Sequence, residues 1–395
     1  MKVLDASFYD FTIVGAGSSG LWLANALNNE GLLKNQTLVI VESDEYKEND
    51  RTWCYWAKKP IEPKKIISKE WKYLKNYLSA LSPYTYYHVR SQDFYREIKF
   101  KLKTNKNIFW LTDTVISQDK EGNQLKIITE GAEWITQKLF LSALPSSQKD
   151  NLADVKSFLH QKISKNHLIL WQSFAGWRIK TKTPFFNPTK MIMMDFNIPQ
   201  NNQTQFLYEL PFSENEALLE VTRFSKEKIT KTEAEEIISN YLKDKNVTYE
   251  ILEEEIGEIP MTNLFDQHQK TIPKTTQIIY IGTLGGAIKP TTGYGFKRMK
   301  NYADDLAIAL KNNKDLPTMY RKNRFRIYDV LLLQIINQYP ERGKEIFECL
   351  FISQPLPRIL KFLDEETTYL EEILIFYKLP IRLFLNSLKQ LILGR

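Results

Sequence analysis

Apolar positions dominate Phe8–Val14, and that run passes directly into Gly15-Ala16-Gly17-Ser18-Ser19-Gly20. Residues 21–27 then carry apolar side chains at helical spacing until Gly31 stops them. A β-rich run at 37–41 ends at Glu42 and Ser43, so the opening pattern predicts a strand, a tight turn, a helix and a second strand. Periodicity then lapses over about 44–110, a stretch rich in aromatics and led by Arg51-Thr52-Trp53-Cys54-Tyr55-Trp56. Strand-like runs return at 107–112, 124–129 and 138–143, and several more lie between 168 and 223, divided by turns containing Pro and Asn. Lys231–Lys243 has helical spacing. A late strand at 277–281 runs into Gly282-Thr283-Leu284-Gly285-Gly286, with a helix expected over about 296–310. From 316 to 395 glycine is scarce and apolar residues recur at helical intervals, which predicts a helical region.

Composition narrows this picture only in places. A chain of 395 residues with 43% hydrophobic content is too long for one simple core, so two or three units are expected and disorder is excluded. The net charge of +7 is spread over scattered lysines with no dense block, which argues against nucleic acid. It leaves a solvated surface or attraction to an anionic membrane. Two cysteines cannot form a disulfide framework and fit a reducing compartment. The first residues carry an early acid and lead straight into a strand, unlike a signal peptide. No apolar run reaches the roughly 18 residues of a membrane span. A cytoplasmic protein, free or peripherally attached to a membrane, is expected. The stretch 379–395 is more apolar than one helix stripe requires and all its charges are basic. It suits an interfacial helix on anionic lipid, and equally a helix packed on its own domain.

Candidate chemistry begins at the first glycine cluster. A G-x-G-x-x-G between strand and helix lets backbone amides approach a pyrophosphate at the helix N-terminus, where the dipole favours anions. Gly15, Gly17, Ser18 and Gly20 are the candidates, with Glu42, roughly 20 positions on, placed to accept from ribose hydroxyls. FAD and NAD fit this motif equally. The distant cluster at Gly282, Gly285 and Gly286 favours FAD, because a dinucleotide flavin needs a second loop to close over it and a simple NAD domain does not. None of the four histidines forms a metal-spaced cluster, so no metal is expected.

Several segments in order resemble the bacterial lycopene cyclases. They are Asn49-Asp50-Arg51-Thr52-Trp53-Cys54-Tyr55-Trp56, Gln172-Ser173-Phe174-Ala175-Gly176-Trp177, Pro184-Phe185-Phe186-Asn187-Pro188 with Met194-Asp195-Phe196, and Glu255-Ile256-Gly257-Glu258-Ile259-Pro260-Met261. Gly282–Gly286 with Lys289-Pro290-Thr291-Thr292-Gly293-Tyr294 resembles that family's flavin-proximal loop. The resemblance implies an α/β fold: a Rossmann-like FAD-binding domain of the glutathione-reductase type, with an inserted β-sheet substrate domain and a helical C-terminal region. On this reading the FAD-binding domain comprises residues 1–57, about 108–148 and 270–315. The substrate domain takes about 58–107 and 149–269, and the helical region 316–395. Arg51 and Gly293 join the cofactor-binding candidates. The implied reaction is lycopene β-cyclase chemistry: acyclic ψ-ends become β-ionone rings, lycopene passing to γ- or β-carotene with no net redox change. FAD would act in its reduced form, with NAD(P)H as reductant.

The family's acidic motif, Phe-Leu-Glu-Glu-Thr or a near variant, corresponds here to Leu218-Leu219-Glu220-Val221-Thr222. Only the first glutamate is kept, which points to Glu220 as the acid and to a single carboxyl within this motif. Protonating a carbon–carbon double bond needs a strong, positioned acid, and burial keeps a carboxyl neutral for that task. Alternation along the strand could equally turn Glu220 outward, and Glu209 is the next candidate. A look-alike, Phe362-Leu363-Asp364-Glu365-Glu366-Thr367, is expected to form a solvated helix face without catalytic use. Rival readings are an FAD-dependent monooxygenase or isoprenoid-chain reductase on the same scaffold, or a non-catalytic flavoprotein that carries carotenoid. Gly282-Thr283, where monooxygenases of this fold carry Gly-Asp, counts against the first.

Overall fold

The computed structural model describes residues 7–44, 50–145 and 168–393; Asn49, His160 and His167 lie outside them. Phe8–Val14 forms the centre of a parallel arrangement, with Leu38–Glu42 on one side and Glu133–Leu141 on the other. Ile108–Thr112 adds to Leu38–Glu42 in parallel. Glu133–Leu141 is shared between two partners. Its first half pairs antiparallel with Gln124–Thr129, and its last three residues pair in parallel with Ile278–Tyr280. The second glycine cluster is thereby brought within one strand of the first. The run Leu38–Val41 is buried on both faces, as befits a parallel strand covered on either side. The helix Ser18–Asn29 packs on this sheet with Ser91–Lys103 and Phe296–Lys311 beside it. Trp22 joins the three, its ring 4.9 Å from Phe94 and 5.6 Å from Phe296.

A second sheet has five antiparallel strands in the order Ile192–Asp195, Thr204–Pro211, Glu216–Ser225, Leu170–Thr181, Tyr249–Met261. One face, carrying Ala175, Trp177, Leu219 and Val221, packs under the helix Lys231–Lys243. That helix starts on a capping box in which Thr230 and Glu233 satisfy each other's backbone N–H groups. The other face, with Phe206, Leu210, Leu218 and Phe224, meets the C-terminal helices through Leu333, Ile336 and Phe347. Both faces of the central strands Thr204–Pro211, Glu216–Ser225 and Leu170–Thr181 are covered, while the edge strand Tyr249–Met261 stays largely exposed, so in the centre alternation sorts side chains between two interiors.

The C-terminal region contains helices at Asn323–Gln338, Gly343–Ser353, Leu356–Leu363, Tyr369–Phe376 and Ile381–Leu393. No helix among the described residues is long and apolar enough to cross a membrane. One sequence expectation is corrected here. The stretch from Asp364 to Thr367 is a turn between helices, not a solvated helix face, and Asp364 and Glu365 keep only 14% and 12% of their side-chain surface. Glu365 accepts from Lys289 at 3.1 Å and from Arg321 Nε at 2.7 Å. Lys289 also donates to Asp329 at 3.0 Å, and Arg321 to Asp266 at 2.8 Å. Burial alone would raise the Glu365 carboxyl, but Lys289, Arg321 and Arg298 bring it down to about 2. Apolar spacing before 363 suggested that the helix ran on. The turn's acids instead meet basic residues from three other segments.

Candidate active site

The sequence-selected residues come together in two groups, one at each end of the segment 282–296. The first is the nucleotide end. Gly20 opens the helix tightly against the strand, since a Cβ there would lie 2.0 Å from the Gly15 carbonyl oxygen. Gly17, by contrast, faces space: an added Cβ meets nothing within 4 Å. The helix Ser18–Asn29 has no side-chain cap, so its first amides are available to an anion. Glu42 Oε2 accepts from the Ala16 N–H at 2.8 Å, which fixes that carboxylate at the turn. The Ser18 hydroxyl donates to Met299 Sδ at 3.2 Å. Gly282 abuts the first loop, its ideal Cβ 3.0 Å from that of Ser19, while Gly285 and Gly286 press on the carbonyls of Tyr280 and Phe265. The half-exposed Arg51 side chain lies 3.9 Å from Asp50.

The second group surrounds a cavity of about 120 Å³ between the antiparallel sheet and the loop 292–296. Even-numbered residues of the strand Leu170–Thr181, Gln172 and Phe174, face it, and so do Tyr208, Leu210, Leu218 and Glu220 from the neighbouring strands. Period-two alternation therefore sends Leu219 and Val221 under the helix Lys231–Lys243 and Glu220 into the cavity wall. Trp53, stacked on Phe296 at 5.0 Å, and Tyr294, edge-on to Trp56 at 4.5 Å, complete an aromatic lining. A second cavity of about 320 Å³ shares Cys54, Tyr294, Gly295 and Phe296 and continues towards Lys289, Asp364 and Glu365.

Gly293 adopts φ +72°, and a side chain there would overlap the Gln172 amide at 2.4 Å. Only glycine satisfies both the backbone and the contact. Close by, Gln172 Oε1 and Thr292 Oγ1 are buried without a hydrogen-bond partner. Buried polar atoms of this kind call for a polar ligand or water. The uncapped helix, the open space at Gly17 and these two atoms together fit a flavin dinucleotide spanning both ends.

Electrostatically, the cavity holds one acid under strong perturbation. Burial, then the Glu255 carboxylate, pushes Glu220 up to about 8, and the Thr222 hydroxyl donating to Oε1 at 3.1 Å only partly opposes this. Burial also raises Tyr86, Tyr208, Tyr294 and Cys54, so their O–H and S–H groups stay neutral. The Tyr86 and Tyr294 hydroxyls lie 2.7 Å apart. Glu209 does not face this cavity: it is buried beside Lys75, 3.6 Å away, and accepts from Tyr241 at 3.0 Å. His88 is held neutral by burial, its value down to about 3, and its Nδ1 lies 2.5 Å from the Ser68 hydroxyl, an ordinary packed histidine. Among the described residues no group of three or more His, Cys, Asp or Glu side chains could hold a metal.

Gln172, Thr292 and Glu255 stand in segments that resemble the family, but the sequence assigned none of them a role. One signal was present: Gly176 inside an apolar strand marks a close approach of its neighbours.

Comparisons with known proteins agree with this geometry. A curated lycopene beta-cyclase from Paracoccus sp. (strain N81106 / MBIC 01143) is 28% identical over 145 residues, covering 36% of this chain and 37% of that protein. The match thus spans about a third of the relative's length. A geranylgeranyl bacteriochlorophyll reductase-like protein from Thermoplasma acidophilum aligns over 96% of both chains with a TM-score of 0.54 at 13% identity. A flavoprotein/dehydrogenase from Cytophaga hutchinsonii aligns over 97% of this chain and 99% of its own, with a TM-score of 0.57 at 9% identity. These two likenesses establish the Rossmann-like fold of FAD-binding flavoproteins. The family model described as lycopene cyclase protein matches residues 10–389, nearly the whole chain, and the protein belongs to that lycopene cyclase family.

Proposed function

We propose that this chain binds FAD and cyclises acyclic ψ-ends of a carotenoid such as lycopene to β-ionone rings, with Glu220 as the acid. The observation that carries the reading is the cavity itself. Its walls are aromatic and aliphatic, suited to a polyene, and its one strongly perturbed acid is a carboxyl held neutral towards pH 8. The Gly15–Gly20 turn, Glu42, Gly282–Gly286 and Gly293 would hold the cofactor, with Arg51 at its margin. Bound in its reduced, anionic form, FAD supplies negative charge beside a cation.

The chain's own part follows from the side chains. Glu220 gives its proton to a terminal double bond of the substrate, leaving a carbocation on the adjacent carbon. An internal double bond of the same molecule attacks that carbon, closing a six-membered ring and moving the charge onward. Loss of a proton from the carbon next to the new cation forms the ring double bond. One proton enters and one leaves, so the product is an isomer. The aromatic faces of Trp53, Phe296 and Phe174 stabilise the cation and exclude water that would trap it as an alcohol. Peripheral attachment to a membrane would give the apolar substrate a route in.

The test is purified protein with lycopene under anaerobic reduction by NAD(P)H or dithionite. Cyclic carotene should form with nicotinamide oxidation far below product. An oxygenated or saturated product, with nicotinamide consumed one for one, would sink the proposal in favour of a redox enzyme.

A further inference from the structure

Gly176 pairs with Glu220 on one side and with Glu255 on the other. Directly opposed residues of antiparallel strands share a face, so Glu220 and Glu255 stand in one row with no side chain between them. There is no room for one, because a Cβ on Gly176 would lie 2.7 Å from the Leu219 carbonyl oxygen and 3.0 Å from the Glu220 Cβ. The acidic partner that the Leu218–Thr222 motif lacks is supplied from two strands away.

The two carboxyls are not equivalent. Burial raises the Glu255 carboxyl as well, but its Oε1 accepts from the Thr52 backbone N–H at 2.8 Å and the Arg51 guanidinium favours its charge, two supports that Glu220 lacks. Among the described residues Glu220 has only the Thr222 hydroxyl, with neutral Tyr208, Tyr294 and Cys54 around it. Beyond Glu255, Arg90 and Arg178 line a small adjoining cavity, but both are engaged by Glu253, at 2.5 Å and 3.7 Å. Glu254, also on that wall, is bonded to Lys231 at 2.6 Å. Two buried carboxyls so placed do not both ionise readily, and the charge settles on the one with the N–H donor and the cation.

We propose that Glu255 is the positioning residue of this site: across the gap at Gly176 its carboxylate keeps a shared proton on Glu220, on the side that faces the cavity. The inference rests on the acid role of Glu220 for its use, though not for its measurement. Glu255 touches no substrate and acts through Glu220 alone.

Infrared titration of the carboxyl stretch in purified full-length protein, with Glu220→Gln to assign the band, reads the proton directly. In Glu255→Gln the Glu220 midpoint should fall by roughly one pH unit or more, while Glu255→Asp, which keeps the charge, should stay near the parent. Arg51→Gln should shift it the same way by less, and because Arg51 is half exposed this variant keeps the test open should Glu255→Gln fail to fold. In cyclisation assays the alkaline limb should move down with the midpoint. A midpoint unchanged in both variants overturns the pairing. A midpoint that moves in protein that does not cyclise lycopene leaves the pairing standing and removes the catalytic reading.

Discussion

Glutamine at position 220 would keep the volume and the Thr222 contact of the glutamate while removing its proton. Glu220→Gln should therefore leave flavin content unchanged and slow cyclisation by about 10²–10⁴-fold, measured as carotene formed per flavin. In the parent the neutral carboxyl is the active form, so activity should be lost as pH rises through about 8. The same raised value means that folding is penalised as pH rises from the ordinary carboxyl range towards 8, and the Gln variant should lose that slope. At the other end of the site, Gly17→Val fills the space that a Cβ now finds empty. Flavin absorbance should disappear from the purified variant while its far-UV signal stays. Both residues were legible in the sequence, Gly17 from its motif and Glu220 from a family resemblance. What could not be read was the direction of Glu220, because alternation at 218–221 defines two faces without saying what covers either.

Elements were read well wherever a period ran long enough. Phe8–Val14, Gln124–Thr129 and Lys231–Lys243 have the extents that their patterns predict. Pairing between elements was out of reach, since the strand Leu170–Thr181 takes its neighbours from residues 216–225 and 249–261. The partnership of Gly176 with two glutamates is a product of that order alone. The turn at 364–367 failed for a related reason: its acids meet Lys289, Arg321 and Lys297 only after folding. Removing one member of a buried ion group strands the rest, typically at about 3–5 kcal/mol. Glu365→Gln should lower the melting temperature accordingly. Because Glu365 is held at about 2 against an ordinary 4.5, its contribution is present above pH 4.5 and fades as pH falls towards 2. Thermal melts across that window should show a shallower acid loss in the variant than in the parent.

At the scale of the whole molecule, the last two helices carry a run of exposed apolar side chains. Leu370, Ile373 and Tyr377, at 75%, 62% and 75% exposure, continue into Ile381 and Leu385, with Lys378, Arg382 and Lys389 exposed among them. The composition of the tail left open whether it packs inward or lies on lipid, and a face this apolar with only basic charges in its last helix favours an anionic surface. Flotation with anionic vesicles should carry the protein upward at low salt, less so at high salt, and Leu370→Asp with Ile373→Asp should abolish it without altering the melting curve. Unchanged flotation of the double variant would place the contact elsewhere.

Lys289 stands three residues before Thr292, whose hydroxyl lies unpartnered at the cavity, and its amine is gripped by Asp329 of the helix Asn323–Gln338 and by Glu365 of the turn after Leu356–Leu363. The loop at the cofactor end of the cavity and the helical region therefore cannot loosen separately. By reciprocity, whatever free energy a ligand gains from an ordered loop at 289–293 is returned as order in residues 323–376. Cofactor loading should protect that distant stretch from protease, and a cut within it should weaken cofactor retention.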